Sequence, residues 1–348
     1  MSLIEQLLQR AIDKDASDVH IKSDGPPYFR IDGELIPRRR EISAAEVEGI
    51  INELLNPAQR EHLEKLGEVD LAYSHPRLGR FRVNVFHQRG TTSMVMRRIK
   101  SVVPSFEELF LPPAIERLTR LQRGLVLITG TTGSGKSTSL AAIIDYINER
   151  RKCHIVTIED PIEYTHRDKL AVVNQREIHI DTTSFTTALR AVMRQDPDVI
   201  LVGEMRDLDT FQAAISATET GHLVFTTLHT TDAMQTVDRI VDLFPTNQQD
   251  QVRSQLSMNL KAIVCQRLLP RTNGGRGPAC EVLFVSPGVQ KLIKENRLDK
   301  IPTAIQQGRE DGSQSFNDSL YALLKAKLIT ESVALEVSDN PAQLSLML

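Results

Sequence analysis

Gly130-Thr131-Thr132-Gly133-Ser134-Gly135-Lys136-Ser137 fits the pattern G-x-x-x-x-G-K-[ST] letter for letter, between an apolar strand-length run and a helix-length segment. A loop of this kind grips the phosphates of a nucleoside triphosphate. Its glycines let successive backbone N–H groups curl around the β- and γ-phosphates, and the following helix N-terminus adds positive potential. Lys136 supplies a point charge, the Ser137 hydroxyl can ligate Mg²⁺, and Thr138 adjoins it. A cradle binds without hydrolysing, so carboxylates are needed at the ends of neighbouring parallel strands. The run 155–158 leads into Glu159-Asp160-Pro161-Ile162-Glu163, and the run 199–202 leads into Gly203-Glu204, the form of the second acidic motif of P-loop ATPases. Acids in such places also cap helices or face solvent; together with the phosphate loop they point to chemistry. His222 and His229 bracket another apolar run, with His222 a candidate sensor of the γ-phosphate. Their i, i+7 spacing without a companion cysteine is not that of a metal pair.

These residues need a scaffold. Apolar runs at 125–129, 154–158, 199–202 and 223–227 alternate with amphipathic helix-length text, which predicts an α/β domain with a parallel sheet covered on both faces. Beyond Pro245 the text reads as mainly helical, with Val252, Leu256, Leu260 and Ile263 on one stripe, a Gly-rich loop at 274–277 and a strand at 281–285. Upstream, helical spacing at 3–12, a strand at 19–21, a hairpin turning at Asp32-Gly33, helical text at 44–66 broken at Pro57, and strands at 69–73, 79–86 and 93–99 predict a small α+β domain. Pro104, Pro112 and Pro113 mark a linker. The expected boundaries are 1–100, a linker at 101–120, a core at 121–285 and a helical C-terminal segment at 286–348.

Composition excludes several classes. Lys plus Arg number 42 against 45 Asp plus Glu, a net charge of −3, and aromatics are 5% without Trp, so neither the cationic surplus nor the stacking platforms of a nucleic-acid motor are present. Cys153, Cys265 and Cys280 lie far apart with no C-x-x-C pair, which predicts neither a disulfide framework nor a cysteine zinc site. Residues 1–14 lack the apolar core of an export signal and no apolar run reaches membrane-spanning length, so a cytoplasmic chain with peripheral membrane contact at most is expected.

Taken in order with Ala16-Ser17-Asp18-Val19-His20 and Arg80-Phe81-Arg82-Val83-Asn84, these motifs resemble those of the type IV pilus retraction ATPases, the PilT-type twitching-motility proteins, over essentially the whole chain. Residues 157–163 look like the family's Asp box, 200–204 its Walker B motif and 221–229 its His box. The resemblance implies a PAS-like N-terminal domain, a RecA-like ATPase domain, and a homo-hexamer binding ATP between neighbouring chains. It further implies Glu163 as general base, Glu204 arranging Mg²⁺ and water, and nucleotide contacts from Glu159 and Asp160. Arg80 and Arg82, two apart on a strand and so on one face, become arginine fingers toward a neighbour's γ-phosphate, with Arg97 a third candidate. Also implied are docking beneath an inner-membrane pilus platform protein at its cytoplasmic face, pilins as indirect partners, and a paralogous retraction ATPase as a further one.

The four-cysteine zinc element of pilus-extension and type II secretion ATPases is missing, which favours retraction. Where the retraction family carries Ala-Ile-Arg-Asn-Leu-Ile-Arg-Glu, this chain reads Gly288-Val289-Gln290-Lys291-Leu292-Ile293-Lys294-Glu295. That difference keeps a PilU-like accessory ATPase among the readings, beside extension or secretion ATPases and a nucleotide-gated regulatory subunit.

Overall fold

The Ser2 hydroxyl accepts from the Glu5 amide while the Glu5 carboxylate takes the Ser2 amide, and Ile4, Leu7, Leu8 and Ala11 then fall on one buried stripe. In the computed structural model this is helix α1, Leu3–Asp13. The structure describes residues 1–31 and 33–348; the expected turn at Asp32-Gly33 thus falls partly outside the described residues. Strands β1 (Asp18–Lys22), β2 (Tyr28–Ile31), β3 (Glu34–Pro37), β4 (Glu68–His75), β5 (Gly79–Gln88) and β6 (Thr91–Arg98) form an antiparallel sheet in the order β3-β2-β1-β6-β5-β4. Helices α2 (Ala44–Leu54) and α3 (Pro57–Leu66) lie between β3 and β4 in sequence, with Pro57 at the first helical position behind an Asn56 cap. Alternation sorts the faces: Val19, Ile21, Phe81, Val83, Val85, Met94 and Met96 pack with α1 and α2, leaving Arg82 and Arg97 on the other side. This unit runs from Met1 to Val102.

The second unit, Val103–Leu348, is built on a sheet ordered β13-β12-β7-β11-β10-β8-β9. Its strands are β7 (Gly124–Thr129), β8 (His154–Glu159), β9 (Val172–Glu177), β10 (Val199–Val202), β11 (Leu223–Leu228), β12 (Leu260–Pro270) and β13 (Arg276–Phe284). All neighbours are parallel except β12 with β13. One face is covered by α4 (Ala114–Leu118) and α5 (Lys136–Arg150). The other carries α6 (Phe185–Val192), α7 (Leu208–Glu219), α8 (Ala233–Asp242), α9 (Gln249–Asn259) and the C-terminal helices α10 (Pro287–Lys294), α11 (Ile301–Gln307), α12 (Phe316–Lys325), α13 (Glu331–Val337) and α14 (Pro341–Met347). Two apolar layers on one sheet explain why its central strands are apolar on both faces. Among the described residues no helix is long and apolar enough to cross a membrane.

Three details differ from the sequence reading. The helical stripe ends at Asn259; Leu260 and Ile263 belong to β12, inserted beside β7. The polar edge strand β9 carries no alternation that would announce it, with Val172 exposed and Gln175 and Arg176 half-buried. The proline-rich stretch is not a free linker: Phe106, Leu109, Leu111, Ile115 and Leu118 pack on the α5 face, and Phe106 stacks on Tyr146 with ring centroids 4.8 Å apart. The division between units falls at Val102, before those prolines.

On β13 the Glu281 carboxylate accepts the Ala233 amide at 2.8 Å, anchoring the first turn of α8. Burial pushes this carboxyl from 4.5 up to about 7, against the pull of the Ala233 amide and with Asp232 and Asp339 adding repulsion. The folded pKa exceeds the unfolded one, so the cost is absent below about pH 4.5 and grows as pH rises toward 7, reaching about 3 kcal/mol above it. Glu281→Gln is therefore expected to raise the thermal midpoint at pH 8, with a gain that shrinks toward pH 5. An equal gain at both pH values in thermal unfolding would contradict this origin.

Candidate nucleotide site

In a parallel sheet the loops leaving the carboxyl ends of the strands share one edge. Register makes this concrete here: Val202 stands beside Ile158 and Thr226, and Thr226 beside Leu127. The phosphate loop after β7, the acids after β8, Glu204 after β10 and His229 after β11 therefore all emerge at the same edge.

The loop's backbone needs its glycines. Gly130, Gly133 and Gly135 have φ of +144°, +79° and +89°, and a Cβ on Gly130 would lie 2.4 Å from the Gln266 carbonyl oxygen and 2.6 Å from Ser134 Oγ. Gln266, buried on β12, holds the loop from the side. Its Nε2 donates to the Ser134 carbonyl at 2.8 Å, and its Oε1 accepts from Ser139 Oγ at 2.9 Å. Lys136, the first residue of α5, is buried, and its Nζ donates to the carbonyls of Gly130 (2.8 Å) and Thr131 (3.0 Å). Burial lowers its pKa while the Glu204 carboxylate pulls it back up, so the two groups feel one another across the loop. Thr131, Thr132 and Ser137 are exposed, Thr138 is half-buried and Ser134 is buried.

Glu204 is half-buried between two basic groups, Arg206 at 2.5 Å and His229 Nε2 at 3.6 Å. The Thr227 hydroxyl donates to the Gly203 carbonyl at 2.6 Å, tying the turn after β10 to β11. Glu159 behaves differently. Its carboxylate accepts from Thr157 Oγ1 (2.6 Å) and Gln175 Nε2 (3.1 Å), and burial raises its pKa against those hydrogen bonds. It is thus taken up by the fold's own groups, whereas Asp160 and Glu163 are exposed, with a cis peptide joining Asp160 to Pro161.

His222 does not join this edge. It precedes β11, where its carbonyl accepts the Gly124 amide at 3.0 Å, and its Nδ1 lies 2.9 Å from the Ala217 carbonyl at the end of α7. The length of β11, about 20 Å at 3.3 Å per residue, separates it from His229. Within this chain His222 meets the C-terminal turn of α7 through the Ala217 carbonyl.

In the first unit, Arg80 and Arg82 share a face of β5, and Arg82 stands directly opposite Arg97 on β6. Arg97 Nε donates to Asp18 at 2.8 Å, Arg30 Nε lies 3.8 Å from the same carboxylate, and Arg82 Nε lies 3.8 Å from Asp70. The result is a basic row across the sheet, ordered by a buried aspartate whose pKa falls because the Arg97 and Ser17 hydrogen bonds outweigh its burial. Gln266, Gln175 and Arg206 are functional-site neighbours that no sequence motif singled out.

The chain matches the Type II/IV secretion system protein family over residues 1–335. It is 44% identical over 341 residues to the type IV pilus retractation ATPase PilT of Pseudomonas aeruginosa, spanning 97% of this chain and 98% of that protein. To the type IV pilus ATPase PilU of the same organism it is 40% identical over 346 residues, spanning 99% and 91%. The crystal structure of the pilus retraction motor PilT with bound ADP superposes with a TM-score of 0.90 at 44% identity, covering 100% of both chains.

The Gln266 amide links β12 to the phosphate loop by two buried hydrogen bonds, so its loss leaves the Ser134 carbonyl and the Ser139 hydroxyl unpaired. Gln266→Leu, similar in volume, is expected to weaken nucleotide binding by about tenfold, the scale of one buried hydrogen bond. Titration with a fluorescent ATP analogue measures it, and an unchanged Kd would show that the loop holds its form without β12.

Proposed function

Because the chain belongs to the type II/IV secretion system protein family, we propose that it is an ATP-hydrolysing motor that drives retraction of a type IV pilus and so supports twitching motility. The observation that carries hydrolysis is that the Glu204–His229 pair leaves β10 and β11 at the same sheet edge as the phosphate loop that bears Lys136. The pilus assignment rests on full-length likeness to a protein named as a pilus retraction ATPase.

The working arrangement follows from the groups present. Backbone N–H groups of residues 130–137 and the start of α5 cradle the phosphates, and Lys136 neutralises charge on them. The Ser137 hydroxyl and Glu204 carboxylate are hard oxygen donors that would hold Mg²⁺ beside the phosphates. Gly130, whose missing Cβ leaves the loop backbone close to β12, preserves the cradle's shape. Mg²⁺ supplies Lewis-acid stabilisation of the charge that develops on the phosphoryl oxygens. Glu163, exposed at the same edge, takes the proton of the attacking water; Asp160 adjoins it, and Glu159 supports the segment from below. His229 holds Glu204 in register.

The chain works as a homo-hexamer in this reading, with Arg80, Arg82 and Arg97 of one subunit completing the site of the next. Their row on one sheet face, ordered by Asp18, suits them to present charge together. The ring sits at the cytoplasmic face of the inner membrane beneath a pilus platform protein and acts on pilins through it. An accessory role beside a second retraction ATPase is the other reading, favoured by the 40% identity to PilU and by Gln290, Lys291 and Lys294 on α10, where the retraction helix has Arg, Asn and Arg.

Lys136→Ala is expected to abolish nucleotide binding and turnover. Arg82→Ala should keep ATP affinity within a few-fold and lower kcat by about 10³-fold, as loss of an arginine finger does. Mixing the two inactive variants should restore part of the phosphate release, because some interfaces then pair an intact loop with an intact arginine; no recovery would count against a shared site. Deleting the gene in its host should leave cells heavily piliated and unable to twitch, and bald cells would overturn the assignment to retraction.

A further inference from the structure

The acids that follow β8 lie on a connection, residues 160–171, that passes back to β9. Its exposed residue Glu163 must nevertheless be held in place if it is to act on a water. Two side chains do this: Glu159, whose carboxylate takes the Glu163 amide, and Gln175, on β9 directly beside Thr157 of β8, which holds Glu159 in turn. Gln175 Oε1 accepts the His166 amide at 2.7 Å, while its Nε2 donates to the Tyr164 carbonyl at 2.9 Å and to Glu159 Oε1 at 3.1 Å. One amide thus grips the connection just after Glu163, at Tyr164 and His166, and braces the Glu159 side chain at the end of β8, with Ile162 buried between.

The far end of the connection is fixed to the phosphate-loop helix. The buried Asn148 of α5 accepts the Lys169 amide at 3.1 Å and donates to the Arg167 carbonyl at 2.8 Å, and its own carbonyl takes the Leu170 and Ala171 amides. Lys169 Nζ adds a 2.8 Å contact to Asp145, one turn earlier on α5. Slack is therefore taken out beyond residue 166 by Asn148, and Gln175 alone of these two amides fixes the segment that carries Glu163.

We propose that Gln175 is the positioning residue for Glu163, setting where its carboxylate stands relative to the phosphate loop. This rests on the reading of Glu163 as the base. Gln175 touches neither Lys136 nor any residue of the phosphate loop, and Glu159, which it does touch, is turned inward on Thr157, so its effect falls on turnover and not on ATP affinity.

Gln175→Met keeps the length of the side chain and removes all three hydrogen bonds; Gln175→Glu keeps the acceptor for His166 and turns the donor into an oxygen facing Glu159. Either change is expected to lower kcat by about 10- to 100-fold, the scale of a 1 Å misplacement, with KM for ATP within about twofold. In a Glu163→Gln background the same change should cost less than about twofold more, because two residues acting through one step are not additive. Multiplicative losses in the double variant, or a fully active Gln175→Met protein, would overturn the proposal. Full turnover by Glu163→Gln alone would instead remove the reading of Glu163 and is recognised separately. Should neither Gln175 variant fold, hydrogen exchange on the unaltered protein decides: the His166 amide is expected to be protected, and exchange at the rate of an open loop would refute the grip.

Discussion

The molecule depends on a close approach of two backbones. Gly130 leaves β7 so near the Gln266 carbonyl on β12 that no side-chain carbon fits between them. That contact requires β12 to lie in the sheet beside β7, which brings the Gln266 amide to the loop's flank and its hydrogen bonds to Ser134 and Ser139. A glycine-rich loop free in solution would sample many conformations at a heavy entropic cost. Here the neighbouring strand removes much of that freedom through the Gly130 approach and the Gln266 hydrogen bonds.

Electrostatics then follow burial. Lys136 is buried enough for its charged form to be disfavoured, and two loop carbonyls with the more distant Glu204 hold that charge in place. Glu204 in turn is flanked by Arg206 and His229, one at each of its carboxylate oxygens. Lysine, carboxylate and histidine follow three different strands, β7, β10 and β11, whose order in the sheet brings the segments that carry them to one edge.

What could be read from sequence was local, and what could not was long-range. The phosphate loop declares itself because eight consecutive residues carry its chemistry. Gln266 does not, since its partners lie 127 and 132 residues away and nothing adjacent marks it. Leu260 and Ile263 fit a helical stripe and a buried strand equally well, and only pairing with β7 decides between them. The prolines at 104, 112 and 113 break regular structure yet do not free the chain, because the apolar residues among them find the α5 face. His222 is the instructive case. It stands before its strand and His229 after it, and in a parallel sheet those positions lie at opposite edges, so strand direction alone separates the two histidines.

Environment also sorts the acids that the sequence presents as a group. Glu159 ends β8 and Glu163 lies four residues on in the connection, yet Glu159 is drawn inward, its carboxyl raised by burial and held by Thr157 and Gln175, while Glu163 remains exposed. Two carboxylates in the same short segment thus acquire different work, one shaping the turn and one left open to solvent. The division is enforced by the β-strand itself. Thr157 and Glu159 alternate onto the α5 face with Gln175 beside them, and the chain must leave the sheet at Asp160 before another acid can face outward. A carboxylate open to water and a carboxyl that braces a turn cannot occupy the same residue, and the few residues between Glu159 and Glu163 are the distance over which the chain changes from one environment to the other.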